Sequence, residues 1–79
     1  MSEENLSTKQ NIVLSYLKGL SKIYEWETIF GLVRRFHVNY SDHYMGGNVQ
    51  EAYFSLDEEE RTKTLIAFCE WSLEKEVTE

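Results

Sequence analysis

Three stretches of this sequence place apolar residues at helical spacing. In the first, Ile12, Val13, Tyr16, Leu17, Leu20, Ile23 and Tyr24 share one side, and Lys9, Ser15, Lys18 and Lys22 take the other. Leu14 stands off that stripe and is a candidate for contact with another molecule. The second stretch begins at Trp26. Its stripe is Trp26, Ile29, Phe30, Val33, His37 and Tyr40, with Leu32 and Phe36 on the edge. The third runs from Ser55 to Glu76. At 100° per residue it lines up Thr62, Leu65, Ile66, Cys69 and Leu73, with Phe68 beside them. Trp71 then falls on the opposite side, near Ala67 and between Glu70 and Glu74.

Start and stop signals divide these patterns into elements. Ser7 with Gln10, and Ser55 with Glu58, have the spacing of a capping box, in which each side chain bonds the other's backbone N–H. Gly46-Gly47 is the one glycine pair and the strongest breaker in the chain. Residues 39–47 read as a loop around it. Asn48 can then cap a short helix that turns Val49, Ala52 and Tyr53 inward. Gly19 and Ser21 leave open whether residues 7–40 form one bent helix or two. Two are favoured, because a single long apolar face would need a partner helix of equal length, and the final helix is shorter. The expected fold is therefore all-α. It is a small bundle of three main helices plus one short helix, in one domain over residues 1–79 with 1–6 frayed. The chain has no proline and 4 glycines, as long helices require.

Charge adds an asymmetry. Residues 1–50 hold five acids and five Lys or Arg, and residues 51–79 hold nine acids and three, which gives the net −6. An acidic second part repels nucleic acid and anionic membrane and attracts basic protein surfaces. The run Asp57–Glu60 also has a structural reading, since carboxylates favour the positive end of a helix dipole. No signal peptide or membrane span is visible, and Cys69 is the only cysteine, so a reducing, cytoplasmic setting is expected.

Candidate chemistry is sparse. His37, His43 and Cys69 are the only soft metal ligands, and they show no ligand spacing. An Asp42–His43–Cys69 grouping needs tertiary help, and Cys69 on an inner stripe reads as a small hydrophobe. Met45-Gly46-Gly47-Asn48 lacks the length and lysine of a phosphate loop. Arg34-Arg35 is the one basic pair and reads as a solvated face. The expectation is a chain that is not an enzyme and carries no metal or cofactor. Trp71 is the sharpest candidate for a partner contact, because tryptophan is enriched at interface hot spots. Glu70, Glu74 and Glu60 would ring it, and Leu14 would be a second contact. These features describe a small binding module that regulates or inhibits a protein with a basic surface, as phage-type inhibitors and DNA mimics do. It would be a monomer or a homodimer that touches neither nucleic acid nor membrane directly.

One stretch, YLKGLSKIYEWETIFGLVRRFHVNYSD (Tyr16 to Asp42), resembles the first two helices of the Hha/YmoA nucleoid-modulator family in length and order of apolar positions. That resemblance covers about a third of the chain. It implies an Hha-like partner of a nucleoid protein as an alternative function, beside that of a structural homodimer subunit. The family's later Ala-Asp-His-Arg run is absent, and Ser55-Leu56-Asp57-Glu58-Glu59 stands nearest to it. No site residue is carried over.

Overall fold

The computed structural model describes residues 6–41 and 46–78, with side chains up to residue 74. These residues form four helices: α1 (Thr8–Ile23), α2 (Ile29–Ser41), α3 (Gly47–Ser55) and α4 (Glu58–Thr78). No strand occurs among them, and the three long helices and one short helix are those expected.

The Ser7 capping box is present as read. Ser7 Oγ accepts from the Gln10 N–H at 3.2 Å, and Gln10 Oε1 accepts from the Ser7 N–H at 2.8 Å. The chain leaves α1 at Tyr24, past the Gly19–Lys22 region, so residues 7–40 form two helices. Thr28 starts α2, its hydroxyl accepting from the Gly31 N–H at 3.1 Å. Gly46 precedes α3 without a side-chain cap, so Asn48 does not cap that helix but lies within it.

The start of α4 differs from the sequence reading. Ser55 is the last residue of α3, and its hydroxyl donates to the Glu51 carbonyl at 2.8 Å. The capping box lies two residues on. Asp57 Oδ1 accepts from the Glu60 N–H at 2.8 Å, and Glu60 Oε1 accepts from the Asp57 N–H at 2.9 Å. Leu56 decides the register: it is buried, which leaves Ser55 on the wrong side of the turn. Asp57→Ala is expected to cost about 1 kcal/mol of stability, and Ser55→Ala clearly less. Equal losses in urea denaturation would contradict this assignment.

α1 is the hub, packing on each of the other three helices, while α2 and α4 share no extended contact. α2 runs antiparallel to α1. The Tyr16 and Phe36 rings meet edge to face at 5.8 Å, and Asn39 Nδ2 donates to the Tyr16 hydroxyl. α4 runs parallel to α1, because Gln10 Nε2 donates to the Glu60 carbonyl at 3.0 Å and Lys18 lies over Trp71. α3 places Tyr53 against Phe36 and Tyr40, each ring pair at 4.9 Å.

Serving three partners, α1 buries more than one stripe. Val13, Leu14, Leu17 and Leu20 are all in the core, and Ile23 is exposed. Leu14 is 1% exposed, so it is a core residue and unavailable as an outside contact. α2 and α4 have the expected period with a different phase. In α2 the buried residues are Leu32 and Phe36, while His37 is exposed and Phe30 is 85% exposed; Trp26, expected on that stripe, precedes α2 and is exposed. In α4 the inner residues are Thr64, Ala67 and Phe68, with Trp71 packed against them. Phe68 is 0% exposed. Of the stripe expected to be inner, Thr62 and Leu73 are exposed, Leu65 and Ile66 are partly exposed and Cys69 is half-buried, while Phe68 beside it is interior. Small residues explain this choice of face. Thr64 and Ala67 let α4 approach α1 closely, and the Thr64 hydroxyl, donating to the Glu60 carbonyl at 2.8 Å, enters the core satisfied.

Candidate functional site

The five residues singled out from sequence do not form one surface. Leu14 is interior. Glu60 is tied into the start of α4: its carboxylate caps Asp57, and its carbonyl accepts from both Gln10 and Thr64. Trp71 is half-buried, its ring stacked on Phe68 at 5.9 Å with an interplanar angle of 20°. Lys18 Nζ stands 5.4 Å from its centroid. Trp71 is thus the outer edge of the core rather than an exposed anchor. Glu70 is half-buried on the same side of α4, and Glu74 is exposed.

The surface opposite is more unusual. Leu65, Ile66 and Leu73 project outward within three turns of α4, and Leu73 is 63% exposed. Thr62 and half-buried Cys69 complete that face. Sequence reasoning finds this stripe but assigns it to the core. The signal that it is surplus is the run Leu65-Ile66-Ala67-Phe68-Cys69, which is apolar around the whole helix. A helix covered on one side only must leave part of such a run in water.

Beside this face lies a groove. A cleft of about 160 Å³ opens where α1, α2, α3 and α4 meet, with Tyr53 and Leu56 in its lining. Val13 and Leu17 form its floor, Val33 and Phe36 its α2 wall, and Thr62 and Leu65 its α4 wall. Its volume is close to the roughly 150 Å³ of an engineered apolar cavity that holds benzene. Phe30 and His37 lie one turn to either side of Val33 on α2, so the α2 rim carries an exposed aromatic ring.

Charges at one end of the groove are already arranged. Arg61 donates to the Tyr53 carbonyl at 3.0 and 3.2 Å and lies 4.3 Å above the Tyr53 ring. It therefore neutralises the C-terminal end of α3. Lys63 is 2.8 Å from Glu59, and that hydrogen bond raises its pKa above the ordinary lysine value. Glu58 lines the same end and is exposed. On the far side of α2, Arg35 is paired with Glu27 at 3.0 Å and sits 3.9 Å over Tyr24.

Among the described residues, no group of three or more His, Cys, Asp or Glu stands together in a way that holds a metal ion. Asp42 and His43 lie outside the described residues, and with them the Asp42–His43–Cys69 grouping. Among the described residues, no helix is long and apolar enough to cross a membrane. Comparison with family models, curated proteins and solved structures gives no match. The resemblance of residues 16–42 to the Hha/YmoA modulators thus rests on apolar order alone.

Proposed function

We propose that this chain is a small acidic protein-binding module that regulates or inhibits another protein by docking on a basic surface. The observation that carries this reading is the outward apolar face of α4. Leu73 is 63% exposed and Leu65 and Ile66 are partly exposed, on a domain whose core is closed behind them by Thr64, Ala67 and Phe68. Contiguous exposed apolar side chains mark interaction sites more often than scattered ones do. The net charge of −6 favours a basic partner and speeds its approach. Occupying a partner's nucleic-acid-binding surface is the form of inhibition that this charge suits best. Trp71, Glu70 and Glu74 keep a part only as a flank of the docking face. Glu60 and Leu14 support it from within.

The double variant Ile66→Glu, Leu73→Glu tests this reading. Both side chains are exposed, so circular dichroism and the thermal midpoint should stay close to those of the unaltered protein. Cross-linking in the native host, read by mass spectrometry, should lose the partner that the unaltered protein captures. A large fall in midpoint with an unchanged set of cross-links would place this face inside the fold and remove the reading. Sedimentation equilibrium of the same pair tests the homodimer, which the variant would dissociate.

A further inference from the structure

Resting on the outward face of α4 that carries the protein-binding reading, we propose that, without a partner, two copies of this chain pair antiparallel through that face as a short two-helix coiled coil. Three observations select a second copy as the occupant.

The first is spacing. Thr62, Ile66, Cys69 and Leu73 follow one another at four, three and four residues, the a and d rhythm of a heptad. At 100° per residue they fall within an arc of about 60°. Thr64, Ala67, Phe68 and Trp71, on the opposite side, span about 100°. The wider arc is that of a helix face packed in a globular core, and the narrower is that of a coiled-coil seam. Between Thr62 and Leu73 no charged residue falls within the narrow arc.

The second is the fit of the seam to itself. With a twofold axis passing over the middle of α4, between the levels of Ala67 and Phe68, Leu73 meets Thr62 of the second copy. Ile66 then meets Cys69 of the second copy. Each layer sets a large side chain against a small one, as close packing requires. On one flank Leu65 meets Ser72 in the same way. A parallel pair would instead set Leu73 on Leu73 and Thr62 on Thr62, crowding one layer and leaving the other open.

The third is charge. Lys63 and Glu70 stand seven residues apart on the other flank of the seam. Reversing the second helix brings the Lys63 of each copy to the Glu70 of the other, and such flanking pairs set orientation in coiled coils. The Lys63 ammonium is 2.8 Å from Glu59 and has three protons, so it can serve both carboxylates. The acidic runs Asp57–Glu60 go to opposite ends of the pair, whereas a parallel pair would set them side by side. From Thr62 to Leu73 the seam is about 17 Å long, roughly three turns. That is short for a standard interface of about 1,600 Å², so the pairing is reversible and yields to a tighter partner.

Sedimentation equilibrium of the unaltered protein is run at about 0.15 M salt, where like charges more than roughly 8 Å apart are screened. A monomer–dimer equilibrium is expected, and a protein that stays monomeric up to about 1 mM overturns the proposal. Ile66→Glu with Leu73→Glu should weaken the dimer at least tenfold, and a dimer indifferent to that change lies elsewhere and overturns it too. Disulfide trapping reads the orientation. Two proteins that both carry Cys69→Ser, one with Thr62→Cys and one with Leu73→Cys, are mixed under mild oxidation. Mixed disulfides should predominate, and like-with-like disulfides at an equal or higher yield would exclude the antiparallel register. Lys63→Glu and Glu70→Lys should each weaken the dimer about threefold, and the two together should restore it. Circular dichroism checks that each variant stays folded. A combined variant no tighter than the single ones removes the charge pairing and with it the register. A strictly monomeric protein leaves the docking reading standing. Unchanged host cross-links in the Ile66, Leu73 variant would remove that reading and leave the dimer.

Discussion

Phe68→Ala is expected to cost about 3–5 kcal/mol, the usual range for emptying a fully buried phenylalanine site. Phe68 is 0% exposed, with Thr64 and Ala67 on the same face. These neighbours are short, and helix α4 is held to α1 by packing and the Gln10–Glu60 bond, so collapse into the space would be partial. At about 0.05–0.15 kcal/mol per residue, a domain of this size has only some 4–12 kcal/mol of stability. A loss of this size should shift the thermal midpoint by about 12 °C or more, at roughly 4–8 °C per kcal/mol. Urea denaturation followed by circular dichroism measures it directly. A loss under about 1 kcal/mol would return Leu65, Ile66 and Leu73 to the interior, on the scale of such substitutions.

Trp71→Ala should cost about 2–3 kcal/mol, less than a fully buried tryptophan because one edge is wet. The ring gives up its stacking on Phe68 and its contact with the Lys18 ammonium. Its expected signature is a lower denaturation midpoint with any binding defect in proportion to the unfolded fraction. A variant as stable as the parent that fails to bind would restore Trp71 as a surface anchor. Trp71→Phe separates the contributions further, since it keeps an aromatic face for Lys18 and should recover about half of the loss.

These two expectations mark where sequence reading succeeds and where it stops. Helical period is a local property and marks the helical stretches, but it leaves open whether residues 7–40 form one bent helix or two. Phase is not local when a helix is apolar over a wide arc. In α2, Leu32 and Phe36 compete with Phe30 and Val33 for the inside. In α4, Thr64, Ala67 and Phe68 compete with Leu65, Ile66 and Leu73. In α4 the contest is resolved by fit against α1, where small residues and a satisfied threonine outweigh larger aliphatics. Period misplaces Leu14 for a related reason: a helix packed on three others has no clean outer side. Trp71 reads as an anchor because it lies opposite the larger stripe, so its role inverts with the phase. The Asp57 cap escapes the sequence because Ser55 and Asp57 both stand three residues before a glutamate, and only the burial of Leu56 separates them. The groove has no signature, since residues from all four helices line it and only the tertiary fold brings them together.

The pairing of α1 with α4 sets the order in which this chain can acquire its structure. Gln10 finds Glu60 fifty residues away, whereas the bond of Asn39 to Tyr16 spans only twenty-three. For an all-helical chain this is a distant closure, and distant closures slow folding relative to local ones. Until α4 docks on α1, the core side of α1 lacks the cover that Ala67 and Phe68 bring to the cluster. A chain at that stage presents the apolar side of α1 to whatever is near, and such species aggregate most readily. Docking of α4 on α1 is therefore the step that ends this exposure.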